Sequence, residues 1–414
     1  MKKRKKRKLK YKNVLLFLGI IIVLILVVTK KSPEKEQITG DVVNSYIGKN
    51  ISELELIAKE NELTIEKSYE YSKDINKDLI ISTDLNDKKI KVIISKGLPD
   101  DKLYREKKVN ELGNVPIMMY HGIIDTEETQ YIGGNVDKNG YNRMAKSFRE
   151  DLEFYYNNGY RMIRLEDYVN GIIDVEIGYS PLILTFDDGD KNNFNVLGKN
   201  SDGSLQIDPN SAVGILEEFK KKHPDMHVTA TFFVMDGIFN QSAYNEEIVN
   251  WLVNNGYDVG NHTTIHPDFT TIGSAKTQEV VGRMYQKLDN LIPGKYVKIV
   301  ALPYGSPYKK DHANFPYILK GTYNDYGYET ESTLRVGWEP ELSPFNKDFD
   351  KTFLKRCRAY DNNGKEFDIK MVFTNLEKNR YISDGDKDTI VIKESSASKI
   401  NSNLSNVITY KESE

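Results

Sequence analysis

From Val115 onward, short apolar runs alternate with amphipathic stretches, and this alternation limits the possible folds more than any other feature of the chain. The runs with the length and composition of buried strands are Val115–Tyr120, Leu182–Phe186, Val228–Val234, Tyr257–Val259 and Val297–Leu302. The stretches with helical spacing of apolar residues are Phe148–Asn158, Ala212–Lys222, Glu246–Asn254 and Thr277–Leu291. Strands that alternate with helices predict an α/β fold built from βα units, either a barrel or an open sheet, over residues 115–394. In such folds, catalytic residues gather at the carboxyl ends of the strands.

A shorter pattern precedes this domain, over residues 41–98. Ser52 and Glu55 have capping-box spacing, and the apolar residues after them predict a helix that ends at Asn61. Three strand-like runs follow, at Thr64–Tyr71, Leu79–Thr83 and Lys89–Lys96. The sequence therefore predicts a small α+β module, with a helix packed on a three-stranded sheet. Polar linkers are predicted on its two sides, at residues 30–40 and 99–114.

The chain begins with a basic head, residues 1–12, which contains nine lysines and arginines. Val14–Val28 then form an unbroken run of fifteen apolar or glycine residues. We predict an uncleaved transmembrane anchor over residues 13–29, because the run is not followed by the small residues of a cleavage site. A cleaved signal peptide is the alternative. The positive charge before the run places the N-terminus in the cytoplasm, which predicts a single-pass cell-membrane protein with extracytoplasmic domains.

The charge balance argues against a nucleic-acid partner. The chain has 58 basic and 61 acidic residues, for a net charge of −3. Without the nine basic residues of the head, 49 basic residues face 61 acidic ones, and the remainder carries −12. This remainder lacks the positive surface that binding to a phosphate backbone requires. Cys357 is the one cysteine, so an intramolecular disulfide is excluded and stability must come from the core.

Two adjacent carboxylates follow the second predicted strand, in the sequence Thr-Phe-Asp-Asp-Gly at Thr185–Gly189. Two acids at a strand end are costly to desolvate unless a cation or a proton holds them, although a solvated turn is an alternative. After another strand, His262 and His266 stand at i and i+4, a spacing that lets two imidazoles bind one metal ion. Pro303-Tyr304-Gly305 ends a further strand in a tight turn.

A second histidine pair, His223 and His227, has the same spacing as His262 and His266. His223 closes a lysine-rich helix end beside a proline, where a cation interacts favourably with the helix dipole. The context therefore favours His262 and His266 as the ligand pair.

Taken in order, Thr-Phe-Asp-Asp-Gly, His-Thr-x-x-His and Pro-Tyr-Gly resemble the metal-dependent polysaccharide deacetylases, the NodB-homology or carbohydrate esterase family 4 group. The resemblance spans roughly Val115 to Asp388 and implies a NodB-type distorted (β/α) barrel. It implies that Asp187 is the catalytic base, and that a divalent metal is bound by Asp188, His262 and His266. Zn²⁺ is the metal expected first, with Co²⁺ or Ni²⁺ as alternatives, because three protein ligands and an open position suit a hydrolytic zinc site.

The chain departs from this family's pattern in two places. Ala301 stands where the third motif usually has the arginine that orients the base, and no histidine follows His312 to serve as the C-terminal general acid. A circularly permuted branch that deacetylates poly-N-acetylglucosamine takes its acid from an N-terminal strand ending in Tyr-His, and Pro116–Gly122 is similar to that segment. The resemblance therefore implies His121 as the acid. A satisfied histidine at a strand end is the alternative.

Four further residues complete the predicted site. The missing arginine is assigned to Arg356, with Arg358 as the alternative, and an unchanged rate in Arg356→Ala would contradict that assignment. Pro303 and Tyr304 are predicted to contact substrate. Trp338 either lines a pocket for the acetyl methyl group, as an aromatic residue does in the family, or belongs to the core.

The small module, residues 41–98, resembles a PASTA module of cell-wall-associated proteins. The resemblance rests on Tyr46-Ile47-Gly48-Lys49 and on the closing run Val92–Gly97. It implies contact with the cell wall, and a spacer is the alternative. The expected function is the removal of N-acetyl groups from peptidoglycan or another N-acetylglucosamine polymer. The alternatives are a non-catalytic wall-binding protein and an O-acetyl esterase. Residues 395–414 are expected to form a polar C-terminal tail.

Overall fold

The computed structural model describes residues 38–72, 74–125 and 136–413. The predicted basic head and transmembrane anchor, residues 1–12 and 13–29, lie outside these ranges. Within them, no helix has both the length and the apolar character needed to cross a bilayer. The chain divides into two compact units, one ending at Pro99 and one beginning at Asp100.

The small unit contains the predicted helix and three-stranded sheet, preceded by one additional short helix. Its elements are α1 (Gly40–Asn44), α2 (Ile51–Glu60), β1 (Thr64–Glu70), β2 (Ile80–Asn86) and β3 (Lys89–Ser95). The central strand, β3, is parallel to β1 and antiparallel to β2. Leu54 and Ala58 of α2 are buried in one apolar cluster with Ile90 and Val92 of β3, and this cluster is the core of the unit.

The predicted capping box at Ser52 and Glu55 is wrong. Asn50 is the N-cap of α2, and its Oδ1 accepts hydrogen bonds from the Ser52 backbone N–H at 3.0 Å and from the Ser52 hydroxyl at 2.7 Å. Glu55 forms an ion pair with Lys67 of β1 instead. Asparagine caps a helix as well as serine does, and the extended backbone at Asn50 gives that residue the capping position.

The large unit alternates strands with helices. Its helices are α3 (Asp101–Lys107), α4 (Ala145–Asn157), α5 (Leu165–Val169), α6 (Ala212–Lys222), α7 (Asn245–Asn254), α8 (Ser274–Leu291), α9 (Phe315–Leu319) and α10 (Ile369–Leu376). Its strands are β4 (Ile117–Tyr120), β5 (Gly122–Ile124), β6 (Asn142–Met144), β7 (Tyr160–Met162), β8 (Ser180–Phe186), β9 (Val196–Lys199), β10 (Leu205–Ile207), β11 (Thr231–Val234), β12 (Asp258–Asn261), β13 (Ile299–Ala301), β14 (Lys320–Tyr323), β15 (Tyr326–Glu329), β16 (Ser332–Leu334), β17 (Cys357–Arg358), β18 (Ile390–Lys393) and β19 (Val407–Tyr410). Short 3-10 helices lie at Pro224–Met226, Pro303–Gly305 and Glu394–Lys399.

The main sheet is parallel and has the strand order β16-β13-β12-β11-β8-β4-β17, with β7 pairing beside β8. Its two edges are joined by residues 354–358. Leu354 accepts a hydrogen bond from the Arg335 N–H and donates one to the Thr333 carbonyl, both at 2.8 Å, whereas β17 pairs with β4. The sheet is therefore curled. The predicted α/β class is confirmed, and the curled sheet is consistent with the predicted distorted barrel.

Burial on both faces explains why the central strands are continuous apolar runs. All seven residues of β8 are buried. Phe186 of β8 stacks on Phe232 of β11 with ring centroids 4.9 Å apart, and Phe148 of α4 packs edge-on against Phe186. The polar residues that follow these strands are thus held on a rigid, close-packed support.

The predicted linker at residues 99–114 and the predicted tail at residues 395–414 differ from the structure, because residues 100–114 and 395–413 are packed parts of the large unit. In the linker, Tyr104 of α3 and Val109 are buried. In the tail, β19 pairs in parallel with β18. The ring of Tyr410 packs against Tyr104, and its hydroxyl donates a hydrogen bond of 2.7 Å to the Val109 carbonyl. The apolar residues of these segments are too few and too irregular to show a periodic signal.

We expect Tyr410→Ala to lower the free energy of unfolding of the full chain by about 3 kcal/mol, the cost of truncating a buried aromatic residue. Thermal and urea unfolding followed by circular dichroism measure this change. Tyr308→Ala is the matched control, because Tyr308 is 59% exposed and its loss should change stability by less than about 0.5 kcal/mol. Equal stability of the two variants would show that the last strand is not part of the folded core.

Candidate active site

Four strands of the main sheet end in polar residues, and parallel pairing brings these ends to one edge. His121 follows β4, Asp187 and Asp188 follow β8, His262 follows β12, and the turn Pro303–Gly305 comes soon after β13. The carboxyl ends of parallel strands are the usual location of catalytic groups in α/β folds. The structure therefore gathers side chains from distant parts of the sequence at a position suited to chemistry.

Asp188, His262 and His266 form a cluster of possible metal ligands. Asp188 Oδ1 lies 3.2 Å from His262 Nε2 and 3.6 Å from His266 Nε2. Within the described ranges, this is the one group of three or more His, Cys, Asp or Glu side chains whose ligand atoms all lie within 4.8 Å of one another. Asp188 has φ 71° and His266 has φ 51°, so both residues adopt a left-handed backbone conformation. Such strained conformations are often found at functional sites.

The donor set fits a divalent cation. His262 Nδ1 lies 2.8 Å from the Ala301 carbonyl oxygen, which can only accept, so in the neutral ring Nδ1 carries the proton and Nε2 presents a lone pair. This Nε2 is buried and faces the Asp188 carboxylate, with Oδ1 3.2 Å away. Burial lowers the pKa of His262, but the nearby carboxylates of Asp187 and Asp188 outweigh it and raise the pKa. Two imidazoles and a carboxylate are ligands that Zn²⁺ takes in hydrolytic sites.

Asp187 is fixed by a buried arginine. Arg356 Nη1 donates a hydrogen bond to Asp187 Oδ1, and Nη2 donates one to Oδ2, both at 2.7 Å. Arg356 is fully buried. Burial would raise the pKa of Asp187, but the charge and hydrogen bonds of Arg356 outweigh it and hold the pKa well below the usual carboxyl range. Arg356 is held in turn by Thr185 Oγ1 at 3.2 Å and the Arg335 carbonyl at 2.9 Å.

The geometry explains how the chain can have Ala301 where the family motif has arginine. The Ala301 backbone carbonyl orients His262, and this contact does not depend on the side chain. The guanidinium that orients Asp187 comes from residue 356, immediately before β17. Arg358, the alternative, lies elsewhere: its guanidinium stacks over the Tyr141 ring at 5.3 Å from the centroid.

His121 is a second neighbour of Asp187. Its Nε2 lies 3.9 Å from Asp187 Oδ2, and its ring is 8% exposed and packs edge-on against Tyr141. Burial lowers the pKa of His121, and the carboxylates of Asp187 and Asp188 oppose this effect. Among the described residues, His121 Nδ1 is buried without a hydrogen-bond partner. The imidazole therefore faces Asp187 through Nε2 and keeps its second nitrogen unpaired within the described ranges, an arrangement suited to proton transfer.

Of the predicted substrate contacts, Tyr304 lies at the site and Trp338 does not. Tyr304 has φ 59° and is 59% exposed, with its ring edge-on to His266 at a centroid distance of 4.4 Å, and Pro303 before it is buried. Trp338 lines a separate groove, where its ring faces Phe367, so its predicted place in an acetyl pocket is corrected. The backbone of Trp338 pairs with Cys357, and its ring contacts Phe367, which lies just before α10.

Three polar residues of the site were not singled out in the sequence. Thr185 bridges Arg356 and the Met118 carbonyl. Asn193 is fully buried and donates a hydrogen bond of 2.6 Å to the His121 carbonyl. Tyr141 lies between His121 and Arg358. Thr185 is part of the Thr-Phe-Asp-Asp-Gly motif and could have been found there, whereas single Asn and Tyr residues in loops show no pattern.

The second histidine pair is not brought together as a ligand site. His223 Nε2 lies 3.3 Å from Glu153, and its ring packs against Tyr156. His227 Nε2 lies 3.0 Å from Glu176 instead. The two rings thus contact two different carboxylates.

Fold and site together define a class: an α/β domain with a curled parallel sheet and an Asp-His-His cluster beside an arginine-bound aspartate. Residues 177–315 match the family model described as polysaccharide deacetylase. This range includes Asp187, the three cluster residues and Tyr304, and the match supports a polysaccharide deacetylase domain in this part of the chain.

The chain is also similar to solved structures. One is the Streptococcus pyogenes deacetylase PplD in complex with acetate, with 16% identity, coverage of 65% of this chain and 99% of that chain, and a TM-score of 0.46. Another is a de-N-acetylase from Aggregatibacter actinomycetemcomitans, with 13% identity, coverage of 64% and 99%, and a TM-score of 0.42. A family 4 carbohydrate esterase from Streptomyces lividans in complex with acetate has 23% identity, coverage of 34% and 57%, and a TM-score of 0.23.

Proposed function

We propose that this chain is a metal-dependent hydrolase that removes N-acetyl groups from a polysaccharide. The observation that carries the proposal is that two adjacent aspartates are held by different partners. Asp187 is bound at both oxygens by Arg356, whereas the adjacent Asp188 faces His262 and His266. Neighbouring acids with separate partners fit a division of labour between base and ligand.

Asp188, His262 and His266 would hold the cation, with Zn²⁺ proposed first and Co²⁺ or Ni²⁺ as alternatives. When bound, such a cation polarises a carbonyl oxygen and lowers the pKa of a water molecule. Asp187 remains ionised because Arg356 stabilises its charge, and it accepts the proton of the attacking water. Each Asp187 oxygen keeps a lone pair beyond its hydrogen bond to Arg356.

His121 is proposed to deliver the proton to the leaving amine. Its Nε2 lies 3.9 Å from Asp187 Oδ2, close enough for the two groups to serve the same reacting centre. An amide nitrogen is a poor leaving group until it is protonated, so this step needs a positioned acid. Tyr304 borders the cluster next to His266 and would contact the sugar.

We expect His121→Ala to lower kcat for N-acetylglucosamine oligomers about 100-fold, the lower end of the contribution of a general acid, with metal binding unchanged. An aryl acetate such as 4-nitrophenyl acetate needs no protonation of its leaving group, so its hydrolysis should change less than about threefold. Steady-state kinetics on both substrates checks the prediction. Equal losses on both would contradict a role for His121 as the acid.

The substrate is proposed to be peptidoglycan or another extracellular N-acetylglucosamine polymer. This proposal rests on the predicted anchor at residues 13–29, which would place the domain outside the membrane. The PASTA-like interpretation of the small unit and the relation to the permuted poly-N-acetylglucosamine deacetylases are part of the same proposal. Protease accessibility in intact cells and binding of the small unit to purified cell walls test the location and the wall contact.

The decisive assay measures acetate and free-amine release from N-acetylglucosamine oligomers and from peptidoglycan, with added Zn²⁺ and with a chelator. Release of amine that stops with the chelator supports an N-deacetylase. Acetate release with a new hydroxyl would indicate the O-acetyl esterase instead. Binding without either product would indicate the non-catalytic wall-binding protein and would contradict the proposal.

A further inference from the structure

A groove with a volume of about 360 Å³ lies beside α10, apart from the strand-end site. It is large enough for a small ligand. Trp338 forms part of its wall and is 43% exposed, which is unusual for so large an apolar side chain. Neither the Asp-His-His cluster nor Asp187, His121 or Tyr304 lines it. Its lining residues include Trp338, Glu339, Glu366, Phe367, Asn375 and Asn379.

The aromatic wall of the groove is held in place at a conformational cost. The rings of Trp338 and Phe367 are tilted against each other with centroids 4.8 Å apart. Phe367 has φ 63°, a left-handed backbone that bulky residues rarely adopt. Residues strained in this way persist only where neighbours hold them, and they cluster at ligand sites.

Asp368 provides that hold. This buried carboxylate accepts hydrogen bonds from the backbone N–H groups of Asn362 at 2.6 Å and Gly364 at 3.1 Å through Oδ2. Its Oδ1 accepts from the Lys370 N–H at 2.9 Å and caps α10. The loop before α10 is therefore tied to the helix, and the Phe367 ring is preorganised opposite Trp338.

The charged side chains among the described lining residues of the groove are the carboxylates of Glu339 and Glu366. Asn114, Asn375 and Asn379 supply amides. Glu339 forms an exposed ion pair of 3.4 Å with Lys355, whereas Glu366 has an exposed side chain at the groove. Aromatic faces suit the apolar face of a sugar ring, and carboxylates suit an ammonium group.

We propose that this groove binds the deacetylated, glucosamine-type segment of the polymer, an inference that rests on the proposed function for the identity of the sugar. Removal of an N-acetyl group converts a neutral acetamide into a primary amine, which carries a positive charge when it is protonated. The new cation is complementary to Glu339 and Glu366, whereas an acetylated sugar gains nothing from them. The groove would thus hold the reacted part of a chain while the catalytic site works on another part.

The test is calorimetric titration of the full chain, in the presence of a chelator, with a glucosamine hexamer and with an N-acetylglucosamine hexamer. We expect the glucosamine hexamer to bind at least tenfold more tightly. Trp338→Ala should reduce this binding at least tenfold, and Trp338→Tyr should restore most of it. Glu366→Gln should reduce the preference about threefold and weaken its dependence on salt. Tyr317→Ala, which removes an exposed aromatic residue elsewhere, should change nothing.

Equal affinity for the two hexamers, or unchanged affinity in Trp338→Ala, would overturn the proposal. A Trp338-dependent dimer in the absence of sugar would assign the groove to a second copy of the chain and would also overturn it. Because binding is measured without turnover, it is separate from the test of the proposed function. If the wild type shows no deacetylase activity but binds the glucosamine hexamer through Trp338, the proposed activity is rejected and the groove proposal stands. If it deacetylates but shows no Trp338-dependent binding, the groove proposal is rejected and the proposed activity stands.

Discussion

In the Asp188→Asn variant, we expect divalent-metal affinity to fall at least about 100-fold and deacetylation to fall below detection. Changes to residues that merely support metal ligands already cost 10- to 100-fold, and Asp188 supplies the one carboxylate of the cluster. Asparagine is preferable to alanine here because Asp188 has φ 71°, a backbone conformation that asparagine tolerates well. Calorimetric titration with Zn²⁺ and an acetate-release assay measure the two effects.

Asp190→Asn is the matched control for this variant. It makes the same chemical change two residues away, and Asp190 is not part of the cluster. Its metal affinity should stay within about threefold of wild type, and thermal unfolding of both variants without metal should be close to that of wild type. Retained metal binding in Asp188→Asn would contradict the proposed metal site, even if activity were lost.

Three residues of the candidate site could be predicted from sequence because each lies directly after an apolar strand. Asp187, Asp188 and His262 occupy equivalent positions at strand ends, so parallel pairing alone brings them to one edge. The left-handed conformations of Asp188 and Gly189 are compatible with the Asp-Gly sequence. The local sequence was therefore sufficient to predict both the types of these residues and their positions at the strand ends.

Residues whose position depends on distant pairing could be predicted only in part. Arg356 lies 169 residues from Asp187 in the sequence, and its contact depends on a two-residue strand that pairs with β4. Such a strand is too short for a periodic signal. The sequence alone therefore could not decide whether Arg356 or Arg358 contacts Asp187. Trp338 shows the same limit, since its backbone pairing with Cys357 turns its ring toward α10.

The second large effect is expected in Arg356→Met, which removes the cation beside Asp187. Asp187 would remain as a buried carboxylate without its partner, and breaking such a pair costs about 3–5 kcal/mol of stability. The pKa of Asp187 would rise, because burial would no longer be opposed by the guanidinium. We therefore expect a large loss of stability together with at least a 100-fold loss of kcat. Arg358→Met, the same change at a residue that stacks on Tyr141, should cost about 1 kcal/mol or less.

The double variant Asp187→Asn with Arg356→Met separates the structural role of the pair from its catalytic role. Without either charge, no buried ion is left unpaired, so the double variant should be more stable than Arg356→Met by about 2 kcal/mol or more. Its activity should remain as low as that of either single variant, because the proposed base is absent. Urea unfolding and kcat measured for all four proteins complete the cycle. Additive losses of stability would contradict a direct Asp187–Arg356 pair. Recovery of activity in the double variant would contradict the role of Asp187 as the base.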